Sequence, residues 1–151
     1  MATIKRFEEI EAWQTARELT RLVYALSNEG AFARDFGLRD QMRRAAVSIL
    51  SNIADSEALA SLRASGFESR TQALFIEFLG RAKGSAGELR SQAYVALDAG
   101  YFNQPQFTQV FNLSEKCSRQ ITGFITYLKA YPTNNRLRES KGEYYIDTVE
   151  S

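Results

Sequence analysis

The feature that most constrains the fold is a run of apolar residues that alternates by three and four from Phe107 to Tyr131. This heptad spacing places one apolar stripe along a helix, and other helices must cover that stripe. Asn103 and Gln106 form a capping-box-like pair before the run, and Pro132 stops it. The sequence therefore predicts a helix of roughly 40 Å in this segment, at 1.5 Å per residue.

Three earlier segments show the same helical periodicity. They cover about residues 7–28, 36–54 and 70–99, and Asp35 is placed to cap the second one. The segment 57–62 is compatible either with an extension of the second helix or with a linker. No segment before residue 133 alternates as a β-strand would. Glycines at 30 and 100 are placed to end the first and third helices.

Four long helices with short connections predict an all-α fold. Because short connections make consecutive helices antiparallel, the simplest arrangement is an up-down-up-down four-helix bundle. We expect this bundle to cover residues 1–132. Residues 133–151 form a polar C-terminal tail without helical periodicity, and disorder is the simplest expectation for it.

Composition excludes several classes of function. The chain has no histidine, which removes the Ser-His-Asp triad, the Cys-His dyad and histidine-ligated zinc. Its one cysteine, Cys117, lies on the apolar stripe, so we expect a buried, inert thiol. We predict no catalytic residue, no metal site and no cofactor. The chain has no apolar run of membrane-spanning length and no signal peptide, so we expect a cytoplasmic protein.

A stripe of small residues in the third helix calls for a physical reason. Each glycine inside a helix costs about 0.5–1 kcal/mol relative to alanine. Close approach of another helix would explain that cost, and the second helix offers a matching small face. We therefore predict that these two helices cross tightly, although a ligand lying against bare backbone is an alternative. The predicted helix-packing residues are Gly80, Gly84, Gly87, Ser48 and Asn52.

Several segments also resemble a known family. The sequences FGL at 36–38, QMRRAAVSI at 41–49 and SNIA at 51–54 are similar to the signature of small bacterial four-helix-bundle proteins. The founding members of that family are encoded in intervening sequences of 23S ribosomal RNA genes. The segments 8–16 and 78–89 resemble the first and third helices of the family. The resemblance extends from residue 7 to about residue 131, with Leu50 where the family usually has proline.

The resemblance implies a protein without catalytic activity. Members of the family resemble the accessory bundle protein of diversity-generating retroelements. That accessory protein forms a homopentameric ring and binds a reverse transcriptase and nucleic acid. The resemblance therefore implies a homo-oligomer, a pentamer by analogy, with RNA and a protein partner as expected ligands.

The charge balance requires any nucleic-acid contact to come from local patches. The chain has 19 Lys and Arg against 18 Asp and Glu, which leaves a net charge of +1. Arginine suits phosphate because its guanidinium donates two parallel hydrogen bonds. The predicted nucleic-acid contacts are Arg39, Arg43, Arg44, Lys83, Arg90, Lys116 and Arg119.

The alternative for these cations is a solvated surface paired with nearby acids. Pairs Asp35–Arg39 and Asp40–Arg44 have helical i, i+4 spacing, which would leave Arg43 and Arg34 least committed. Among the aromatic residues, Tyr127 is the best single candidate for stacking on a base.

A second function is an oligomeric protein-interaction scaffold without direct nucleic-acid contact. Apolar residues lie beside the heptad stripes, in excess of what one bundle seam needs. These residues are Trp13, Leu22, Phe111, Leu113 and Ile125.

Overall fold

The computed structural model describes residues 10–63 and 68–130, and it is helical throughout, apart from short connections. The helices are α1 (Glu11–Ser27), α2 (Phe36–Arg63), α3 (Glu68–Asp98) and α4 (Gln104–Ala130), with a short 3₁₀ helix at Gly30–Arg34. The described ranges contain no strand. The predicted all-α, four-helix fold is therefore confirmed.

Each helix packs against two others, in the cyclic order α1, α2, α3, α4 and back to α1. The contacts between α2 and α3 show the antiparallel register. Ser85 Oγ donates a hydrogen bond of 2.9 Å to Ser48 Oγ, and the same groove is lined by Gln41, seven residues before Ser48, and by Gln92, seven residues after Ser85. α1 and α3 thus separate α2 from α4.

The core lies along the axis of the bundle and contains the predicted heptad positions. Leu19, Ile49, Leu89 and Ile121 have no exposed surface, one from each helix. Small residues are interleaved with them, which allows the helices to approach closely. The small residues of the core include Ala12, Ala16, Ala45, Ala46, Ala82, Ala86, Ala93 and Ala96.

The predicted helix ends are found where the sequence placed them. The Leu38 backbone N–H donates to Asp35 Oδ1 at 3.1 Å, which caps α2. At the start of α4, Asn103 and Gln106 exchange two side chain–backbone hydrogen bonds of 2.8 and 2.9 Å. Gly100 has a φ of 80°, the left-handed conformation that commonly follows a helix. α2 continues through residues 57–62, so these residues extend the helix.

Two predicted segments lie outside the described residues. The structure describes α1 from Glu11, whereas the sequence predicts its start near residue 7. The polar tail at 133–151 also falls outside the described part of the chain.

The 3₁₀ helix between α1 and α2 was not predicted. Its Phe32 is buried and stacks on the Tyr101 ring, with 5.0 Å between the ring centroids and 9° between the planes. Phe102 meets the Phe32 ring edge-on, with 5.6 Å between the ring centroids. Tyr101 also donates a hydrogen bond of 2.8 Å to Asp35 Oδ2. These contacts hold the α1–α2 connection against the α3–α4 connection.

The prediction that α2 and α3 cross tightly at the glycine stripe is wrong within the monomer. Gly80 and Gly84 are exposed, and a Cβ atom added at either would meet no atom of the described residues within 4 Å. A Cβ at Gly87 would meet only the Arg90 side chain, at 3.7 Å. The stripe faces away from the core because it lies opposite the buried positions of α3.

Ser48 and Asn52 do lie at the contact between α2 and α3. The Asn52 side-chain amide donates to the Ser48 carbonyl at 2.8 Å and to Ser48 Oγ at 3.1 Å. Ser85 then joins this pair across the helices through Ser48 Oγ. The predicted helix-packing role is therefore found at Ser48, with Ser85 rather than a glycine on the facing helix.

Candidate nucleic-acid interface

The predicted cations do not form one surface. Arg39, Arg43 and Arg44 lie on α2, whereas the other four predicted cations lie on α3 and α4. α2 and α4 are diagonal in the bundle, and neither groove beside Arg44 is lined by any of the four cations on α3 and α4. Lys83, Lys116 and Arg119 are exposed.

Arg90 belongs to the contact between α3 and α4. Its guanidinium donates a hydrogen bond of 3.0 Å to Ser118 Oγ, and Ser118 is buried. Arg90 therefore has a structural partner inside the bundle.

Arg39 is held by its own surroundings. Its guanidinium donates to Asp40 Oδ1 at 3.1 Å and to the Ala33 carbonyl at 3.0 Å, and it lies 4.7 Å from the centre of the Phe36 ring. The predicted Asp35–Arg39 pair is wrong because the Asp35 carboxylate accepts from Leu38 and Tyr101 instead.

Arg43 is also committed, contrary to prediction. Its Nε donates a hydrogen bond of 2.9 Å to Ser27 Oγ, and its guanidinium lies 4.6 Å from the centre of the Tyr24 ring. Both partners are on α1, so Arg43 links α1 to α2 by a cation–π contact and a hydrogen bond.

Arg44 is unpaired among the described residues, unlike Arg39 and Arg43. It is exposed, and it makes no hydrogen bond or ion pair with any described residue. The predicted Asp40–Arg44 pair is wrong, since Asp40 pairs with Arg39. Arg44 stands between two grooves that share only Arg44 and Ser48 as lining residues.

The first groove lies between α1 and α2 and has a volume of about 520 Å³. Tyr24 and Val47 give it an apolar surface, and they are 42% and 40% exposed. Asp40 and Arg43 complete the lining together with Arg44. An exposed aromatic ring beside two guanidinium groups is the arrangement that base stacking requires.

The second groove lies between α2 and α3 and has a volume of about 320 Å³. Its walls are polar, with Gln41 and Arg44 on α2 and Glu88 and Gln92 on α3. Glu88 is exposed and forms no ion pair with a described residue, although Arg44 lines the same groove. The Gln92 Oε1 atom is buried without a hydrogen-bond partner in the described part of the chain.

Tyr127 does not belong to this interface. Its side chain is only 4% exposed, so it is part of the core and cannot stack on a base. The sequence favours core or interface packing for Tyr24, but this residue lies one position beyond the buried Val23 and is exposed. The available signal was the position of Tyr24 beside the heptad stripe of the first helix, near the arginines that begin the second.

Cys117 is a structural residue, as predicted. It is buried, and its thiol contacts the Ala12 carbonyl at 3.5 Å. Burial in apolar surroundings raises the pKa of this thiol to about 12, so the reactive thiolate is not populated near neutral pH.

The described residues contain no group of three or more Asp, Glu, Cys or His residues arranged to hold a metal ion. The Glu77–Arg81 contact at 3.4 Å is an ordinary i, i+4 pair on the surface of α3.

Comparison with known families assigns the chain to one family. Residues 8–123 match the family model of the 23S rRNA-intervening sequence protein. The chain belongs to this family. The matched range contains α1 to α3, most of α4 and the residues that line both grooves. A search of curated proteins found no match. No helix in the described part of this family member is long and apolar enough to cross a bilayer.

Proposed function

We propose that this chain is a non-enzymatic, homo-oligomeric protein that binds RNA through the outer edge of α2. The observation that carries the proposal is the unpaired Arg44, exposed between two grooves and beside the Tyr24–Arg43 pair. The family name, which refers to the intervening sequences of 23S rRNA, supports RNA as the nucleic acid. An RNA ligand of this kind would place the protein in the cytoplasm.

In this proposal Arg44 contacts phosphate. Its guanidinium has five donors and no competing partner among the described residues, so it can donate two hydrogen bonds to one phosphate group. Tyr24 lines the first groove and is 42% exposed, and because Arg43 covers one face of its ring, the opposite face would receive a base of an unpaired strand. The Arg43 guanidinium fixes the orientation of this ring through their 4.6 Å contact.

The test is a salt-titrated binding assay with labelled single-stranded RNA and with duplex DNA. We expect salt-sensitive binding to RNA, and we expect Arg44→Gln to reduce the salt slope by about 1, the loss of one phosphate contact. Arg34→Gln is the matched control, since Arg34 is exposed but lines neither groove. Equal affinity of wild type and Arg44→Gln at every salt concentration would contradict the proposal.

A protein-interaction scaffold is the second candidate, and the outer face of α3 favours it. Tyr94 and Val95 are 50% and 51% exposed on this helix, about two turns beyond Gly87, and the Tyr94 ring also contacts Phe107 of α4 at 4.8 Å. The exposed Gly80 and Gly84 present bare backbone on the same helix, and exposed backbone together with exposed apolar side chains suits contact with another protein surface. The homo-oligomer, the pentameric ring and a reverse-transcriptase-like partner belong to the proposal through the family resemblance.

Light scattering tests the oligomer directly. The proposal predicts a mass of several protomers, and Gly84→Leu should lower that mass because its side chain would enter the proposed contact. A monomeric wild-type protein at micromolar concentration would contradict the homo-oligomer without affecting the assignment of the RNA contact to α2.

A further inference from the structure

We infer that the groove between α2 and α3 binds an unpaired guanine base of the RNA strand. This inference rests on the proposed RNA function and assigns a specificity to one side of Arg44. Two side chains of opposite charge line this groove without contacting each other. Arg44 and Glu88 belong to facing helices, and no ion pair joins them.

The groove therefore offers separate donors and acceptors rather than a closed salt bridge. Arg44 is donor-only, and the ionised Glu88 is acceptor-only. One helical turn along α3 from Glu88, Gln92 Oε1 is a buried acceptor without a partner among the described residues. Rotation of the Gln92 side chain into the groove that it lines would let this oxygen accept from a ligand and would remove the free-energy cost of leaving it unpaired.

Guanine has the complementary set of groups. Its N1–H and its exocyclic N2 amino group are adjacent donors that fit a carboxylate, whereas O6 and N7 accept from an arginine fork. Uracil offers one N–H donor along the same edge, so it cannot satisfy both Glu88 and Gln92. Recognition of splayed-out bases through their hydrogen-bonding edges is typical of single-stranded RNA.

The floor of the groove limits what can enter. The Ser85–Ser48 hydrogen bond of 2.9 Å closes the bottom, and Ala45 adds only a methyl group to the α2 wall. A base can therefore enter edge-first between the helices, while its phosphate stays near the exposed Arg44. The neighbouring base along the strand would lie across Arg44, on the side of the Tyr24 ring.

The experiment compares short RNA strands that differ at one base. Labelled heptamers of uridine carry guanosine, inosine or uridine at the centre, and their affinities are measured at one low salt concentration. Inosine lacks only the N2 amino group, so it is the matched probe. We expect the guanosine strand to bind about tenfold more tightly than the uridine strand, with inosine in between.

Two variants assign the preference to the groove. Glu88→Gln should reduce the guanosine preference to less than twofold. Glu18→Gln, an exposed change on α1 away from both grooves, should keep the preference. Thermal unfolding of both variants checks that the bundle remains folded.

The outcomes separate this inference from the proposed function. Salt-sensitive binding of all three strands with equal affinity would overturn the guanine site and leave the RNA function standing. A guanosine preference that survives Glu88→Gln would overturn the groove as its origin. No binding of any strand at low salt would overturn both.

Discussion

The outer edge of α2 and the outer face of α3 differ in how their side chains are used. On α2, Arg39 and Arg43 are each fixed by at least one hydrogen bond and one aromatic ring, whereas Arg44 has no partner in the described part of the chain. On α3, two exposed glycines present bare backbone, with no described atom within 4 Å of an added Cβ. The first surface is organised for a polar ligand, and the second leaves room for another protein surface.

The two surfaces show the same helical periodicity in the sequence, although their side chains make different contacts in the structure. Apolar or small-residue periodicity identifies which residues share a helix face, but it does not identify what covers that face. The glycine stripe and the arginine cluster were both consistent with internal packing or pairing. The contacts made by the neighbouring helices decide between these alternatives.

The largest expected effect is that of charge reversal on α2. Arg44→Glu removes a charged hydrogen-bond donor and places a carboxylate beside Glu88, so RNA affinity should fall by about 2–3 kcal/mol, or roughly 30- to 150-fold. Fluorescence anisotropy with single-stranded RNA measures the change. Arg34→Glu makes the same change of charge away from the grooves, and a loss as large as that of Arg44→Glu would assign the effect to net charge alone.

Removal of the exposed ring should have a smaller effect. Tyr24→Ala deletes the stacking surface and the ring that orients Arg43, and stacking contributes about 1–3 kcal/mol per base. We expect roughly tenfold weaker binding at the low end of that range. Tyr94→Ala is the control, since Tyr94 is half exposed on α3 and lines neither groove, and thermal unfolding checks the loss of its ring contacts with Phe107 and Phe111. If Tyr94→Ala weakens binding more than Tyr24→Ala, the RNA contacts α3 instead of α2.

The glycine stripe gives the next prediction, and its sign distinguishes a free surface from a covered one. Because Gly84 has open space around it, Gly84→Ala on a free surface should raise the free energy of unfolding by about 0.5–1 kcal/mol. Urea denaturation of the protein measures this change. If a neighbouring protomer packs against the bare backbone, the substitution should instead lower the mass measured by light scattering.

The smallest predicted effect concerns pH and the Asp35–Tyr101 contact. The hydrogen bond from Leu38, followed by that from Tyr101, lowers the pKa of Asp35. A lowered pKa in the folded state means that the stabilisation is present above about pH 4 and is lost as the pH falls through the folded-state pKa. Asp35→Asn should therefore flatten the acid side of the stability profile. Asp55→Asn, an exposed change on α2, is the control.

The fold was largely predictable from local chemistry. The heptad of α4, the cap at Asp35 and the Asn103–Gln106 pair depend on residues within a few positions of one another. The site was less predictable because its partners are distant in sequence. Asp35 binds Tyr101, which is 66 positions away, and this contact removes the carboxylate expected to pair with Arg39.

The same reason explains why the role of Arg43 was missed. Its partners Tyr24 and Ser27 lie on another helix, and their position depends on the α1–α2 packing. Spacing within α2 predicted pairs with Asp35 and Asp40 but contained no information about α1. The family resemblance, by contrast, was a property of the chain itself and was confirmed over residues 8–123.

The most direct test of the account is an NMR titration of the isotope-labelled protein with a short single-stranded RNA. The chemical shifts of Tyr24, Arg44 and Val47 should change when RNA binds, whereas those of Gly80 and Gly84 should not. Shifts confined to the glycine face of α3, with Arg44 unchanged, would contradict the claim that the outer edge of α2 is the RNA-binding surface.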